Sequence, residues 1–301
     1  MATLKTARTD VLEIAYEESG SDRGPVVFLM HGFPDDVRTW DDTAQLLARE
    51  GFRVIVPYLR GYGPTRFLKA ETPRSGQQAA LGHDLRALMD ALRIDRAGLA
   101  GYDWGGRACC VAAALWPERV IGLVSMGVGY NIQNIPRALE PAPAEIERLF
   151  WYQWYFNTER GRRGLAANRR DICRLLWRLW SPTWTFDEAT FEATAASFDN
   201  PDFVDVVIQS YRHRQQNAPG DPALRPLEKA LTLQPKIMVP TILLTGGASG
   251  LDGGRGSFER AAPMFAKLVR TEVVANAGHL LPRQGAAEIA RAVTELMRSG
   301  G

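Results

Sequence analysis

The chain has 301 residues, of which 46% are hydrophobic and 23% charged, a composition typical of a soluble globular protein. Its 36 basic and 34 acidic residues leave a formal net charge of +2, which does not indicate a nucleic-acid partner. Three cysteines without metal-ligand spacing argue against a disulfide framework or a zinc site. Because the start of the chain lacks an apolar signal segment and no run of about 18 apolar residues occurs, we expect a cytoplasmic protein without a membrane span.

Strand and helix patterns alternate through the first part of the chain. Apolar runs predict an edge strand and then buried strands, at 12–17, 26–30, 53–57, 97–101 and 120–126. Helical patterns lie between them, at 39–49, 77–92 and 108–115. Continuous apolar strands separated by helices are typical of a parallel sheet covered on both faces, so the sequence predicts a doubly wound α/β fold.

The middle of the chain has a different composition. Residues 131–236 contain most of the tryptophans and many arginines, in helical stretches that prolines interrupt, and show no buried strand pattern. Strand patterns return at 239–244 and 271–274, before a last helix. We therefore predict a core domain made of residues 1–130 and 237–301, with residues 131–236 inserted as a helical cap.

A sharp turn is predicted where the apolar run at 97–101 ends. Asp103 lies between Gly101 and Gly105, and a helix-compatible segment follows. This G-x-D-x-G pattern has the spacing of a nucleophile elbow, in which glycines let strand and helix approach closely around a strained residue. The alternative is an ordinary turn in which the Asp103 side chain caps the helix.

Two of the four histidines lie in loops that follow predicted strands. His279 follows Gly278 after the last strand, where an imidazole could act as a general base or simply be solvated. His31 begins the segment His31-Gly32-Phe33-Pro34 directly after the first buried strand. That segment fits either a loop facing the nucleophile or an ordinary turn stabilised by its proline.

Together these segments resemble the α/β-hydrolase superfamily, and within it the epoxide hydrolases and the related haloalkane and haloacetate dehalogenases. The resemblance spans most of the chain and is carried by 31–34, Arg60-Gly61-Tyr62-Gly63, 101–106, the cap and Gly278-His279. It implies an α/β-hydrolase fold with a mostly parallel sheet, an inserted helical cap, and neither cofactor nor metal.

Aspartate in place of the usual serine at the elbow changes the expected reaction. An ionised Asp103 can displace a leaving group from an sp³ carbon and form an alkyl ester. Water activated by His279 would then attack the ester carbonyl, and the resemblance implies that the amides of Phe33 and Trp104 form the oxyanion hole. An epoxide or a carbon–halogen bond is the expected electrophile.

Two tyrosines in the cap favour the epoxide. Trp151-Tyr152 and Tyr211-Arg212 resemble the cap tyrosine motifs of epoxide hydrolases, which implies that the two hydroxyls protonate the opening epoxide oxygen. The alternative is that these tyrosines are aromatic packing residues of a helical cap. Tyr155 is the nearest competitor to Tyr152 for the assignment.

Dehalogenation by the same nucleophile is the alternative reaction. Haloalkane dehalogenases typically have asparagine where this chain has Phe33, and haloacetate dehalogenases have a cap histidine where it has Tyr152. The segment ending at Arg107 nevertheless resembles haloacetate dehalogenases, in which this arginine helps to bind a carboxylate. We assign substrate contacts to Arg107, His31 and Tyr155, with a salt bridge as the alternative role of Arg107.

The acid that would orient His279 is the least regular part of the pattern. The family places it in the loop after the strand at 239–244, at about the position of Ser249. Asp252 is the acid nearest to that position, and we assign it as the third member of the triad. If this acid is missing, the chain is expected to be a slow-turnover relative that retains its ligand.

The sequence therefore predicts an enzyme that hydrolyses an epoxide to a vicinal diol. Its expected partner is a small molecule rather than a nucleic acid or a membrane, and a homodimer is left open. An ester or lactone hydrolase is disfavoured, because Asp103 is suited to alkyl displacement rather than acyl transfer.

Overall fold

A central β-sheet organises the computed structural model, which describes residues 2–251 and 254–299. Its strands are β1 Thr3–Arg8, β2 Leu12–Gly20, β3 Val26–Met30, β4 Arg53–Pro57, β5 Arg66–Phe67, β6 Ala97–Gly101, β7 Val120–Met126, β8 Ile237–Gly246 and β9 Phe265–Val274. The helices are α1 Asp41–Arg49, α2 Gln78–Ala91, α3 Asp103–Leu115, α4 Ala144–Leu149, α5 Trp151–Asn157, α6 Glu159–Trp180, α7 Glu188–Ala195, α8 Phe203–Arg214, α9 Arg225–Thr232, α10 Gly254–Ala261 and α11 Ala286–Ser299.

The sheet is mostly parallel. Its strand order is β1-β2-β4-β3-β6-β7-β8-β9, with β5 paired to β2. β2 runs antiparallel to both β1 and β4, whereas every pair from β4 through β3 to β9 is parallel. Helices α1 and α11 contact each other, as do α2 and α3, so the two faces of the sheet are covered. The predicted α/β-hydrolase type of sheet is confirmed.

Small residues in the central strand bring helices close to the sheet. Every residue of β6, Ala97–Gly101, is buried. A Cβ placed on Gly98 would meet the side chain of Met297, and one placed on Gly122 in β7 would lie 3.0 Å from Cβ of Leu296. Helix α11 therefore packs tightly on β6 and β7, at the strands that lead into the predicted elbow.

Two strands carry no sequence pattern that predicts them. Residues of β1, Thr3–Arg8, are exposed except for Ala7, so the strand has no apolar run to identify it. The strand β5 has only two residues. Both pair with β2, and their place in the sheet is fixed by main-chain hydrogen bonds rather than by burial of side chains.

Helices α4 to α9 fill the chain between β7 and β8, and no strand of the sheet lies among them. We call residues 131–236 the cap segment. Its core is aromatic: Tyr152, Phe156 and Tyr211 contact one another at ring-centroid distances of 5.3 to 6.2 Å. Helix α6 is the longest helix of the segment and is kinked at Asn168, whose backbone is not helical.

The end of α6 is bound to two loops that follow strands of the core. Trp177 Nε1 donates a hydrogen bond of 2.7 Å to the carbonyl oxygen of Pro34. The main-chain N–H of His279 donates to the carbonyl oxygen of Trp180 over 2.9 Å, and the N–H of Leu280 donates to Oγ of Ser181 over 3.0 Å. The cap segment is thus attached at both loops for which the sequence predicts catalytic residues.

No helix in the described part of the chain combines the length and the apolar character that crossing a bilayer would require.

Candidate active site

Asp103 occupies a strained position between β6 and α3. Its φ is +49°, a left-handed conformation that residues other than glycine rarely adopt. The turn depends on close backbone approaches, because a Cβ on Gly105 would overlap the carbonyl oxygen of Met30. A Cβ on Gly32 would lie 2.5 Å from Cβ of Asp103 itself. The strand, sharp turn and helix expected from the sequence are present.

The side chain of Asp103 does not cap α3. The N-cap residue is Tyr102, which makes no side-chain capping hydrogen bond, and Asp103 is the first residue of the helix. Oδ1 of Asp103 instead accepts a hydrogen bond of 2.9 Å from the main-chain N–H of Phe33. Trp104 is the second residue of α3, where helical geometry leaves the main-chain N–H without a partner inside the helix.

His279 lies beside the other carboxylate oxygen. Its Nε2 is 3.6 Å from Oδ2 of Asp103, and the imidazole is packed between Trp180 and Tyr102 at centroid distances of 5.2 and 5.9 Å. Burial by itself raises the pKa of Asp103, but the contact with His279, the charge of Arg107 and other contacts outweigh it and lower the pKa. Asp103 is therefore held as a carboxylate, the form that a nucleophile needs.

The predicted triad acid cannot be placed. Asp252 lies outside the residues that the structure describes, so its assignment stays a prediction. Ser249, at the position where the family usually has the acid, accepts a hydrogen bond from the main-chain N–H of Leu251 through its Oγ. Asn131 after β7 is engaged in holding its own turn, since its amide nitrogen donates to Ser125, Met126 and Gly129.

The two predicted cap tyrosines lie together near Asp103. Tyr152 on α5 and Tyr211 on α8 are 2% and 1% exposed, and their rings meet edge to face at 5.3 Å. The ring of Tyr211 also contacts Phe33 and Trp104, at 5.5 and 5.9 Å. Burial raises the pKa of Tyr152 to about 12 and that of Tyr211 well above its ordinary value, so both hydroxyls carry their protons at neutral pH.

The structure places His31 in a structural role rather than at the substrate. The ring is fully buried, and its Nε2 accepts a hydrogen bond of 3.1 Å from the N–H of Leu59. The proton must then be on Nδ1, which lies 3.1 Å from the carbonyl oxygen of Gly32. Burial lowers the pKa of His31 to about 4, so the imidazole is neutral. Both ring nitrogens are bound to main chain and His31 does not line the cavity that contains Asp103, so the geometry does not support the predicted substrate contact.

Tyr155 is also turned away from Asp103. Its ring contacts Trp151 and Phe156, and a Cβ on Gly164 of α6 would overlap its hydroxyl oxygen. It does not line the cavity that contains Asp103, so the expected substrate contact is not present. Tyr152, three residues earlier, is the tyrosine of α5 that reaches the cavity.

Arg107 reaches the cavity as predicted, and a second arginine joins it. Arg107 lies one helical turn after Asp103 on α3, and Arg214 is the last residue of α8. Both line the cavity, and burial together with the charge of Arg214 lowers the pKa of Arg107 to about 10. Arg214 was not predicted, although its spacing of three residues from Tyr211 places both on one face of a helix.

One cavity of about 450 Å³ brings Asp103, His279, Tyr152, Arg107 and Arg214 together, whereas Tyr211 is not among its lining residues. Its polar lining includes Asp103, His279, Tyr152, Gln153, Arg107, Arg214, Asn131 and Glu147. Apolar walls come from Met126, Ile132, Ile146, Phe150, Trp154 and Leu251. Among the described residues, no group of three or more histidine, cysteine, aspartate or glutamate side chains is arranged to hold a metal ion.

A family model described as the alpha/beta hydrolase fold matches residues 25–285, which is most of the chain. The chain belongs to the α/β-hydrolase-fold family. In this α/β-hydrolase, Asp103, Phe33 and His279 follow the carboxyl ends of strands β6, β3 and β9. This placement agrees with membership of the family.

Comparison with individual proteins finds relatives that are named epoxide hydrolases. A crystal structure from Klebsiella pneumoniae, of a protein provisionally named an epoxide hydrolase, is 40% identical, with a TM-score of 0.95, and the match covers 98% of this chain and 97% of that one. An epoxide hydrolase from Vigna radiata superposes with a TM-score of 0.78 at 21% identity, over 99% and 98% of the chains, which shows a common fold.

Curated relatives match over shorter stretches. Epoxide hydrolase 3 of Siraitia grosvenorii is 37% identical over 124 residues, which are 41% of this chain and 37% of that protein. Epoxide hydrolase B of Mycobacterium tuberculosis is 30% identical over 150 residues, 46% of this chain and 42% of that protein. The matched stretches thus span less than half the length of these curated relatives.

Proposed function

We propose that this α/β-hydrolase converts an epoxide and water into a vicinal diol through a covalent ester on Asp103. The observation that carries the proposal is that the ionised, partly buried Asp103 and the protonated Tyr152 line one cavity, with the ring of Tyr211 against that of Tyr152. Opening an epoxide needs both an attacking group and a proton donor for the oxygen that stays attached. The names of the relatives support the same activity.

In the first step, Oδ2 of Asp103 attacks an epoxide carbon. Oδ1 is the oxygen bound to the Phe33 amide, which leaves Oδ2 as the attacking atom. The carbon–oxygen bond of the epoxide breaks as the ester bond forms, and the oxygen takes a proton from Tyr152 or Tyr211. Because both tyrosine pKa values are raised, each hydroxyl is protonated at neutral pH. It can therefore donate a hydrogen bond to the epoxide oxygen before it transfers its proton.

In the second step, water attacks Cγ of Asp103. His279 takes a proton from this water, and negative charge develops on Oδ1, beside the amides of Phe33 and Trp104. The ester then breaks between Cγ and Oδ2, and Oδ2 takes the second proton of the attacking water and leaves as a hydroxyl of the diol. The proton held by His279 returns to the tyrosine, and the water oxygen remains in the carboxylate of Asp103.

The cap in this proposal is residues 131–236, and the core comprises residues 1–130 and 237–301. The core supplies the nucleophile, the oxyanion hole and the base, with Asp252 as the acid behind His279. The cap supplies both tyrosines. The two tyrosines lie on helices α5 and α8. Because these helices contact each other, the positions of the two hydroxyls are fixed relative to one another.

A single-turnover reaction in water labelled with heavy oxygen tests the ester. With enzyme in excess over epoxide, we expect the label in the peptide that contains Asp103 and not in the diol. Label that enters the diol directly in the first turnover would contradict the proposal. Intact-mass measurement of His279→Gln protein incubated with epoxides provides a second readout, since the ester should then accumulate.

Dehalogenation of a haloacid is the second candidate function. It is favoured by Arg107, whose guanidinium lines the cavity and could bind a carboxylate. Incubation of wild-type protein with haloacetates, with release of halide as the measurement, distinguishes the two reactions. If halide is released while no epoxide is opened, and Tyr211→Phe has little effect, the dehalogenase replaces the epoxide hydrolase.

A further inference from the structure

Two guanidinium groups in the cavity lack the acidic partners that buried arginines require. Arg214 is 6% exposed, its Nε is enclosed without a hydrogen-bond partner, and its guanidinium lies 4.5 Å from the ring centre of Tyr211. Nε and Nη1 of Arg107 are likewise enclosed without a partner. Among the described residues, neither arginine has a carboxylate within 4.0 Å.

The same chain neutralises its other buried arginines. Arg60, 2% exposed, makes two hydrogen bonds of 2.6 Å to the carboxylate of Asp84 and a third to the carbonyl oxygen of Ser75. Arg283 is bound by both carboxylate oxygens of Asp35. Removing a charged group from water is costly unless the charge is paired. Arg107 and Arg214 differ from Arg60 and Arg283 in having no carboxylate partner, and an anionic ligand would supply one.

The acidic groups near the two arginines are committed to other contacts. Asp103 attracts Arg107 but holds its own oxygens against Phe33 and His279. Glu147 accepts a hydrogen bond from the main-chain N–H of Ala142, over 2.8 Å. Glu140, also in the lining, is paired with Arg137 at the exposed rim. None of these carboxylates is paired with Arg107 or Arg214, so both guanidinium groups keep N–H donors enclosed in the cavity without a partner.

We infer that Arg107 and Arg214 bind a carboxylate carried by the substrate, so that this site acts on epoxy acids in preference to neutral epoxides. The inference rests on the proposed epoxide hydrolysis. A guanidinium offers paired N–H groups that match the two oxygens of a carboxylate, and the cation–π contact with Tyr211 positions Arg214. Because one arginine belongs to α3 of the core and the other to α8 of the cap segment, a single carboxylate would join both halves of the site.

Matched substrates test this preference directly. We would compare a series of epoxy carboxylates, which differ in the number of methylenes between epoxide and carboxylate, with the corresponding primary amides. For the best acid, kcat/KM should be about 10- to 100-fold higher than for its amide, which is the range expected for hydrogen bonds to a charged group. Equal kcat/KM for every acid and its amide would overturn the inference while leaving epoxide hydrolysis in place.

Variants locate the preference in the two arginines. Arg214→Met and Arg107→Met should each raise KM for the acid more than KM for its amide, and so remove the preference. Arg212→Met is the matched control, since Arg212 lies on the same helix but is bound to Glu159 and to main-chain carbonyls of the cap segment. If Arg214→Met keeps the full preference for the acid, the inference is wrong.

A binding measurement separates this inference from the proposed function. Calorimetry with Asp103→Ala protein would compare the dihydroxy acid that corresponds to the best epoxy acid with its amide, and then repeat both titrations in Asp103→Ala/Arg214→Met. Tighter binding of the acid that is lost in the double variant supports the carboxylate site even if no epoxide is turned over. Equal binding of acid and amide counts against it, whatever the outcome for epoxide hydrolysis.

Discussion

In the core half of the site, main chain holds the reactive groups, whereas in the cap half side chains hold one another. Asp103 is fixed by a left-handed turn and by the amide of Phe33. Tyr152 and Tyr211 are fixed by edge-to-face ring contacts, and Arg214 by its position over a ring. Backbone geometry tolerates little change, while packed side chains can be exchanged. In the proposed mechanism, the nucleophile thus lies in the half that main chain fixes, while the two proton donors lie in the half that side-chain packing fixes.

The largest effect is expected from Asp103→Asn, which removes the nucleophile but preserves the hydrogen bond from Phe33. Asparagine also tolerates the positive φ of this residue, so the fold should be kept. We expect diol formation to fall by about 10⁴-fold or more, by analogy with other covalent nucleophiles. Rates measured on freshly purified protein, together with an unchanged melting temperature, check this. A rate near that of wild type would refute the role of Asp103.

Replacing the cap tyrosines should cost less than replacing the nucleophile. Tyr152→Phe and Tyr211→Phe should each slow epoxide opening, because one donor can partly substitute for the other. The double variant should lose about 10²- to 10⁴-fold in kcat/KM, the range for general acid catalysis. Tyr155→Phe is the control, since its hydroxyl lies against α6 and outside the cavity. Equal losses in the control and the double variant would indicate packing rather than proton donation.

Stability should respond in different ways to two buried arginines, one in each half. Arg60→Met leaves Asp84 buried without its partner and should lower the free energy of unfolding by about 3–5 kcal/mol. Arg214→Met removes an unpaired charge and a cation–π contact, so the free energy of unfolding should stay within about 1 kcal/mol of wild type or rise. Chemical denaturation without ligand measures both. Similar losses in the two variants would show that Arg214 has a structural role.

The smallest effect concerns the boundary between the halves. Ser197 of the cap segment donates a hydrogen bond of 2.6 Å to Asp36, and burial with the nearby charge of Asp35 raises the pKa of Asp36 to about 7. The folded protein thus holds this proton more tightly than the unfolded chain, whose pKa is near 3.8. The stability contributed by the group is complete below the unfolded pKa and is lost as pH rises through about 7.

Asp36→Asn isolates this contribution, because the amide keeps the contact with Ser197 but does not titrate. The unfolding free energy of wild type minus that of the variant should fall by about 1–2 kcal/mol between about pH 5 and pH 7. Denaturation curves for both proteins across this range provide the measurement. Parallel pH profiles would show that Asp36 does not titrate in this window.

The sequence was most informative where burial is continuous. Strands β3, β4, β6 and β7 were predicted from apolar runs and lie where expected. The elbow was predicted from the spacing of its glycines, since only glycine allows the approach of Gly105 to Met30. Strand β1 was missed because its side chains are exposed.

Side chains whose roles depend on distant partners were harder to predict. His31 precedes the loop that bears Phe33, yet its ring is bound by Leu59, a contact that no local pattern encodes. Arg214 could have been identified by its helical spacing from Tyr211. That it lacks an acidic partner is visible only in the fold. The role of Asp252 remains a prediction.

The attachment of α6 to the loops that carry Phe33 and His279 limits how the segment between β7 and β8 can be exchanged with that of a relative. Trp177 binds the carbonyl of Pro34, and the carbonyl of Trp180 binds the amide of His279. A graft that exchanged the whole segment between β7 and β8 would therefore displace the base and the oxyanion loop together with the substrate pocket. Grafts that begin after Met126 and end before Trp177, with Tyr152 and the end of α6 retained, should transfer pocket walls and preserve both attachments.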